Sequence, residues 1–270
     1  MEYNCLISII TVCYNAERTI ANTIKSVLNQ NYDNYEYLII DGASTDHTKD
    51  VFDKYSTSFK GRAYWYSEPD NGIYDAMNKG AKLASGRYLL FLNADDTLTD
   101  NALFLYDKSI NQKGVFPDII YGDTIVMYHD GEKTKNKIRK AIYPITLQSL
   151  RKGMGVVHQS MITSKELFVR LNGFNLNYTV GADWDFLIRS VKNDASLVYI
   201  NNPLSVFDLD GVSSLLHNKQ RHQIRKENNL YVYFDWYMVV DYLKLSSIIQ
   251  LLFGQSVYNK IRYYANKFHN

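Results

Sequence analysis

The first hundred residues alternate short apolar runs with segments in which apolar residues recur three and four positions apart. The apolar runs, rich in Val, Ile, Leu and aromatic residues, predict strands at residues 6–12, 36–40, 63–67 and 88–92. The segments of helical periodicity predict helices at about residues 17–29, 46–55 and 74–84, with Asn15 as a candidate N-cap for the first. Strands and helices that alternate in this way predict an α/β fold with a mostly parallel, doubly wound sheet.

The pattern changes after residue 100. A helix near residues 101–111 precedes strand-like runs at 119–121 and 124–128 and a turn signal at 129–131, which together predict a hairpin or a region of mixed sheet. Further helices are expected at 165–171 and 183–191, with a short strand at 198–200, and helix formers dominate from residue 220 onward. The predicted organisation is one domain over residues 1–215, with halves 1–100 and 101–215, and a helical C-terminal extension over 216–270.

Composition narrows the class of protein only slightly. The chain has 270 residues, 46% of them hydrophobic and 21% charged, and a net charge of +2, which gives no case for a nucleic-acid partner. Cys5 and Cys13 lie on or beside one extended strand at roughly 3.3 Å per residue, too far apart for a disulfide, so we expect a reducing cytoplasm. The apolar run near the N-terminus is expected to be a buried strand and not a signal peptide, and no run of 18 apolar residues predicts a membrane span.

Carboxylates follow two of the predicted strands at their carboxyl ends. Asp95 and Asp96 come after the strand that ends near residue 92, and Asp41 directly follows Ile40. Ligands of open α/β sheets bind beyond the carboxyl ends of the strands, and two adjacent carboxylates repel unless a cation neutralises them. Mg²⁺ or Mn²⁺, held by one or two carboxylates and by substrate phosphates, is the expected ion, with a solvated acidic turn as the alternative.

Several common nucleotide-binding and catalytic motifs are absent. The first strand is followed by Cys13 and Tyr14 and not by a glycine-rich turn, which disfavours a dinucleotide site. The sequence contains no phosphate-binding loop of the Gly-Lys-Ser/Thr type, no cysteine pair with zinc spacing and no Gly-x-Ser-x-Gly elbow.

Four segments in a fixed order carry a family resemblance. They are TVCYN at residues 11–15, IIDGASTD at 39–46, DNGIYDAMNKG at 70–80 and FLNADD at 91–96. Together they resemble the family 2 glycosyltransferases over about the first hundred residues. The resemblance implies a GT-A fold, a nucleotide-diphosphate-sugar donor bound by residues 1–100, an acceptor bound by residues 101–215, and transfer with inversion at the anomeric carbon.

The resemblance also assigns donor-side roles to individual residues. Asp41 would hold the nucleotide base, expected to be uracil, in a pocket that Val12, Tyr14 and Asn15 line. Asp96 would bind the metal and Asp95 the ribose or donor sugar, although which of the two carboxylates ligates the ion directly stays open because the family often has Asp-x-Asp here. The other expected donor contacts are Asp70, Asn71, Gly72, Asp75, Asn78, Asn93 and Lys79, which has the reach to contact phosphate oxygens.

The acceptor side needs a base, because the acceptor hydroxyl loses its proton as it attacks. Asp183, near the start of a predicted helix whose dipole would keep it ionised, is the candidate, with an ordinary N-cap as the alternative. Many family members have Glu-Asp at this point, and Ala182 replaces the Glu. His158, Gln159, Trp184 and Asp185 are expected on the acceptor side.

The C-terminal extension combines an apolar helix with basic and aromatic side chains. Lys260, Arg262 and Lys267 lie among four aromatic residues, a composition that suits a membrane interface, although a helix packed on the domain or in a dimer fits equally. Residues 208–214 and His217 are a candidate lid or phosphate contact.

The sequence thus predicts an inverting transferase, dependent on Mn²⁺ or Mg²⁺, that moves a sugar from a UDP-sugar to a saccharide acceptor. Similar enzymes use acceptors linked to polyprenyl diphosphate in the synthesis of O-antigen, capsule or exopolysaccharide, which favours a cytoplasmic protein peripheral at the inner leaflet. Two alternatives stay open. One is a sugar nucleotidyltransferase, disfavoured by the missing glycine-rich loop, and the other is a non-catalytic nucleotide- or carbohydrate-binding protein of the same fold.

Overall fold

A computed structural model describes residues 3–111, 116–130, 133–208 and 218–230. The chain divides into two compact units, Met1–Leu216 and His217–Asn270. The first unit is an α/β structure built on one nine-stranded sheet.

Four parallel strands make up the first half of the sheet. They are β1 (Cys5–Cys13), β2 (Tyr35–Asp41), β3 (Ala63–Ser67) and β4 (Gly86–Phe91). The order is β3-β2-β1-β4, and β1 is buried from Ile7 to Cys13, as expected of a central parallel strand covered on both faces. Cys13 pairs with Asp41 in the β1–β2 register, so the carboxyl ends of these strands lie at one edge.

The second half of the sheet is mixed. Its strands are β5 (Thr97–Leu98), β6 (Ile119–Asp130), β7 (Lys133–Arg139), β8 (Met161–Ser164) and β9 (Leu197–Asp208). β8 runs antiparallel between β4 and β6, β6 is parallel to β9, and β5 and β7 are antiparallel edge partners of β9 and β6. The expected α/β fold with a parallel sheet and a mixed second half is therefore confirmed.

Two predicted strands are longer than expected. The runs at 119–121 and 124–128 belong to one strand, β6, and the short strand at 198–200 is the start of β9. The β6–β9 register shifts around Asp123, where Gly122 pairs with Ile200 but Asp123 pairs with Pro203. The polar bulge on each strand interrupts the apolar pattern and hid the continuity.

The helices mostly match the predicted positions. They are α1 (Ile20–Leu28), α2 (Thr48–Ser56), α3 (Ile73–Leu83), α4 (Ala102–Asn111), α5 (Leu147–Leu150), α6 (Lys165–Arg170), α7 (Ala182–Lys192) and α8 (Asn218–Glu227). The expected Asn15 cap is wrong, because α1 begins after Thr19, and Asn15 has a left-handed backbone with φ of 50°. Its side chain accepts a hydrogen bond from the Thr45 backbone N–H instead.

A single hydrophobic cluster joins the two halves of the first unit. Ile7 and Leu90 of the parallel half share it with Ile120, Ile162 and Leu204 of the mixed half. The second unit is described only from 218 to 230, where α8 lies, so most of the predicted C-terminal extension and the candidate lid at 209–217 fall outside the described residues. Within the described parts of the chain, no helix has the length and apolar character needed to cross a membrane.

Candidate active site

Asp41 lies at the carboxyl end of β2 with its side chain fixed by two serines. It is 2% exposed, and both of its oxygens accept hydrogen bonds. Ser44 donates from its backbone N–H and its hydroxyl, and the Ser67 hydroxyl donates over 2.6 Å. The sequence pointed to Asp41 but not to Ser67, which ends the neighbouring strand β3 and reaches Asp41 only across the sheet.

The loops after β1 and β2 are tied together beside Asp41. The Asn15 backbone N–H donates to the Ser44 hydroxyl over 2.8 Å, and the Asn15 carboxamide accepts from the Thr45 N–H over 2.8 Å. Asn15 therefore builds the wall of the expected base pocket. Tyr14 beside it is 64% exposed, an open aromatic face at the mouth of the pocket.

Gly42 allows three of the predicted donor residues to approach each other. A Cβ atom at this position would lie 2.6 Å from Asp70 Oδ2 and 3.5 Å from the Tyr14 ring. Since no side chain fills that space, Tyr14, Asp41 and Asp70 meet at one place. Val12 is buried on β1, two residues before Tyr14.

The polar loop before α3 is shaped by its own side chains. Asp70 accepts from the Gly72 N–H over 2.8 Å, and Asp75 accepts from the Asn71 N–H over 3.0 Å. The Asn71 N–H is the main reason that the pKa of Asp75 is lowered, with Lys79 adding to it. Lys79 also donates to the Pro69 carbonyl over 2.7 Å, so in this structure its ammonium group braces the loop.

Asn78 and Tyr74, one helical turn apart on α3, both contact the acceptor half. The Asn78 carboxamide makes two bonds of 2.9 Å with the backbone of Phe174, so it links α3 to the segment before α7. The Tyr74 hydroxyl accepts from the Gly181 N–H over 3.1 Å and donates to Asp183 Oδ1 over 3.0 Å. Sequence reasoning missed Tyr74, because its partner is 109 residues away.

Asp183 is held on three sides. It is the second residue of α7, whose N-cap is Gly181, so the alternative that Asp183 is an ordinary N-cap is wrong. Besides Tyr74, the Trp184 N–H donates to Oδ1 over 2.9 Å, and His158 Nδ1 lies 3.2 Å from Oδ2. Burial raises the pKa of Asp183, but the bonds from His158, Trp184 and Tyr74 outweigh it and the pKa is lowered, which keeps the carboxylate ionised.

Asp96 lies in a turn that α1 and a short 3₁₀ turn hold in place. The Thr23 hydroxyl of α1 donates to the Asp96 carbonyl over 2.7 Å. The side chain of Asp96 is buried and accepts a hydrogen bond from the Gln159 carboxamide, whereas Asp95 is exposed. His158 and Gln159 are consecutive in the 3₁₀ turn His158–Ser160, so one turn connects Asp183 with Asp96.

The residues around Asp96 fit a hard divalent cation. Within the described residues, three buried polar atoms have no hydrogen-bond partner: Asn93 Oδ1, Gln159 Oε1 and His158 Nε2. Two of them are carboxamide oxygens in, or bonded to, the Asp96 turn, and oxygen atoms are the ligands that Mg²⁺ and Mn²⁺ prefer. Among the described residues no three His, Cys, Asp or Glu side chains converge, which agrees with an ion held by few carboxylates and by phosphates and not by a protein cage.

Two predicted acceptor-side residues have packing roles in this structure. The Trp184 indole donates to the Leu150 carbonyl over 3.1 Å. Asp185 accepts from Arg189 over 2.7 Å and, two residues after Asp183, lies on roughly the opposite side of α7. The geometry therefore brings His158 and Gln159 to Asp183 and Asp96, but turns Asp185 away from them.

A parallel half with a fixed carboxylate and an acidic turn, facing an ionised aspartate from a mixed half, is the arrangement of a GT-A glycosyltransferase. Residues 8–163 match the sequence model of Glycosyl transferase family 2, and the chain belongs to this family of enzymes.

Individual relatives agree with this family. The PGL/p-HBAD biosynthesis glycosyltransferase of Mycobacterium bovis (strain BCG / Pasteur 1173P2) is 30% identical over 217 residues, which cover 80% of this chain and 82% of that protein. The putative teichuronic acid biosynthesis glycosyltransferase TuaG of Bacillus subtilis (strain 168) is 40% identical over 91 residues, which cover 34% of this chain and 36% of that protein.

Solved structures share the fold at low sequence identity. S. aureus TarS 1–349 in complex with UDP-GlcNAc has a TM-score of 0.68 and 16% identity, covering 85% of this chain and 68% of that chain. The mannosyltransferase PcManGT from Pyrobaculum calidifontis, in complex with GDP-Man and Mn²⁺, has a TM-score of 0.57 and 17% identity, covering 83% and 60%. The predicted family, fold and enzyme class are confirmed.

Proposed function

We propose that this chain is an inverting, metal-dependent glycosyltransferase that moves a sugar from a UDP-sugar to a hydroxyl of a saccharide acceptor. One observation carries the proposal: the turn His158–Ser160 bonds to Asp183 through one residue and to Asp96 through the next. A carboxylate suited to the acceptor and a carboxylate suited to the metal are thus held in one rigid arrangement, as a transfer between two bound substrates requires.

The donor nucleotide is assigned to residues 1–100. Asp41, with Tyr14 and Asp70 beside it, forms the pocket for the base, and Val12 and Asn15 shape that pocket. The UDP-GlcNAc in the TarS structure supports uracil, while GDP-Man in PcManGT makes guanine the nucleotide to test against it. The other donor contacts proposed are Asn71, Gly72, Asp75, Asn78, Lys79, Asn93 and Asp95.

Asp96, with Asp95, would hold Mn²⁺ or Mg²⁺. When bound, the ion stabilises the negative charge that develops on the departing diphosphate. Asp183 is the catalytic carboxylate of the acceptor half, and the four hydrogen-bonding contacts around it keep it ionised and oriented.

The proposed acceptor is a saccharide linked to polyprenyl diphosphate, in the synthesis of a cell-surface polysaccharide. The names of the mycobacterial relative and of TuaG, which refer to a glycolipid and to teichuronic acid, support this class of acceptor. The acceptor would bind to residues 101–215 at the cytoplasmic side of the membrane, with the C-terminal extension at the inner leaflet.

Calorimetric titration of UDP and GDP, with Mn²⁺ and then with EDTA, tests the donor site. We expect UDP to bind with Mn²⁺, EDTA to abolish binding, and Asp96→Ala to weaken it at least tenfold because the ion loses its buried carboxylate. Asp33→Ala, at a carboxylate that is 95% exposed, is the control and should bind UDP normally. Absence of nucleotide binding under every condition contradicts the proposal.

Asp183→Asn separates an enzyme from a non-catalytic binding protein. The amide keeps the shape of the side chain but cannot carry the charge, so transfer should fall at least 100-fold while UDP binding stays within about twofold. Unchanged transfer in this variant would remove Asp183 from the mechanism.

A further inference from the structure

We propose that His158 Nε2 is the atom that takes the proton from the acceptor hydroxyl, and that Asp183 orients His158 and stabilises its charged form. The inference rests on the proposed glycosyl transfer and specifies its proton-accepting residue. It follows from the hydrogen bonds of Asp183 and from the position of the second nitrogen of His158.

The oxygens of Asp183 are already occupied. Oδ1 accepts from the Tyr74 hydroxyl and from the Trp184 N–H, and Oδ2 faces His158 Nδ1 at 3.2 Å. The side chain is 15% exposed. A hydroxyl that gave its proton directly to Asp183 would have to displace one of these three partners.

The same contacts fix the tautomer of His158. Asp183 acts as an acceptor toward Tyr74 and Trp184, and its lowered pKa keeps it without a proton of its own. The hydrogen between Asp183 and His158 therefore belongs to Nδ1. In a neutral imidazole that leaves Nε2 as a lone pair, ready to accept a proton.

Nε2 has no hydrogen-bond partner among the described residues, and it is shielded from solvent. A buried acceptor without a donor is unfavourable, so the site is complete only when a ligand supplies an O–H group or a cation. The cation is the less suitable occupant, because no three potential metal-ligating side chains converge among the described residues. An O–H group of the acceptor sugar matches both the lone pair and the reaction.

The step balances in atoms and electrons. The acceptor oxygen forms a bond to the anomeric carbon as the bond from that carbon to the phosphate oxygen breaks, and the nucleoside diphosphate leaves with the bonding pair. The hydroxyl proton moves to Nε2, giving an imidazolium whose Nδ1–H stays bonded to Asp183. The carboxylate stabilises this cation and remains ionised, as in other Asp–His pairs.

His158→Asn tests the proposal in the full chain. The Asn amide takes the place of Nδ1 and still donates to Asp183, but it has no atom at Nε2. We expect transfer to a saccharide, or to water as hydrolysis of the UDP-sugar, to fall at least 100-fold, with UDP and Mn²⁺ affinity within twofold of wild type. The control is His47→Asn, because His47 Nδ1 pairs with Asp50 at 2.8 Å in the same way but its side chain is 81% exposed.

Each other result overturns the assignment. Transfer within threefold of wild type means that His158 only positions Asp183. A loss of Mn²⁺-dependent UDP binding like that of Asp96→Ala means that Nε2 ligates the metal. If wild type itself binds no nucleotide and hydrolyses no UDP-sugar, the proposed function fails, and this inference fails with it.

The tautomer gives a readout that needs no turnover. ¹⁵N-histidine labelling of the full chain and long-range ¹H–¹⁵N correlation spectra distinguish the two neutral forms, and the His158→Asn spectrum identifies the His158 signals. We expect the form protonated at Nδ1. A hydrogen on Nε2 of the neutral ring would exclude His158 as the proton acceptor even where the chain proves to be an active transferase.

Discussion

At the scale of single residues, Tyr74 shows how much of the site depends on one hydroxyl group. Its ring is buried, and the hydroxyl both accepts from the Gly181 N–H and donates to Asp183. It thereby fixes the backbone at the start of α7 and the carboxylate one residue into that helix. The Tyr74 hydroxyl is a positioning group from the donor half that serves the acceptor half.

We expect Tyr74→Phe to lower stability by about 1–2 kcal/mol, because the Gly181 N–H loses its acceptor and Asp183 loses a donor. Transfer should fall about tenfold with little change in UDP affinity, since the variant touches only the acceptor side. Urea denaturation and steady-state kinetics measure the two effects. Tyr64→Phe, at a ring that is 43% exposed, is the control, and an equal loss in that variant would show that the Tyr74 hydroxyl has no special role.

At the scale of secondary structure, the bulge in β6 is built around a buried carboxylate. Asp123 is fully buried and accepts from Lys140 over 2.7 Å, from the Ala141 N–H over 3.0 Å and from the Tyr199 hydroxyl over 2.8 Å. These contacts join β6 to β9 and to the segment after β7. Ser160, next to Gln159, donates to the Asp123 carbonyl over 2.8 Å, so the bulge also supports the turn that carries His158.

Asp123 should therefore make stability depend on pH. Burial raises the pKa of Asp123, but the bonds from Lys140, Ala141 and Tyr199 outweigh it and leave the pKa below its ordinary value. A lowered folded-state pKa stabilises the fold at pH values above the unfolded pKa, and this stabilisation is lost as pH falls through the folded pKa. We expect Asp123→Asn to cost about 2 kcal/mol at pH 7, since Lys140 is exposed enough to be solvated by water once unpaired.

Urea denaturation of wild type and Asp123→Asn from pH 7 to pH 3 measures this effect. The difference between the two proteins should shrink below about pH 4, where the wild-type carboxylate becomes protonated. Asp33→Asn should differ little from wild type throughout, because that side chain is 95% exposed. A difference that does not change with pH would mean that packing of the bulge, and not charge, stabilises it.

How far the sequence predicts these elements depends on the range of the contacts. The strands β1 to β4 and the helices between them were predicted nearly to the residue, because apolar periodicity is a local property. β7 was not predicted, since its sequence KTKNKIR has no apolar run and it pairs only through the backbone with β6. Asp41, Asp96 and Asp183 were found through motif and position, whereas Thr23, Ser67 and Tyr74 reach the site only through tertiary contacts.

At the scale of the whole molecule, the two halves of the first unit depend on each other. The hydrophobic cluster runs from Ile7 to Leu204, and the bonds Tyr74–Asp183, Asn78–Phe174 and Gln159–Asp96 all cross between residues 1–100 and 101–215. Neither half has the complete site. Proposed donor and acceptor functions are therefore divisions of one folded body and not of two domains.

The C-terminal extension gives the last prediction, which rests on sequence because residues 231–270 lie outside the described structure. The whole chain has a net charge of only +2, yet Lys260, Arg262 and Lys267 lie close together among aromatic side chains. Each basic residue near an anionic bilayer contributes about 1 kcal/mol, so three contribute about 3 kcal/mol, on the order of 100-fold in affinity.

We expect the full chain to float with vesicles that contain phosphatidylglycerol and to lose flotation when these three residues are changed to Glu, or when 236–270 are removed. A triple Glu variant at Lys54, Lys60 and Lys108, three exposed lysines of the first unit, is the control. It changes the net charge equally, so retained flotation in this variant would show that position and not overall charge binds the membrane. Unchanged flotation without 236–270 contradicts the membrane role, and loss of a dimer on that deletion, measured by sedimentation, would assign the extension to self-association.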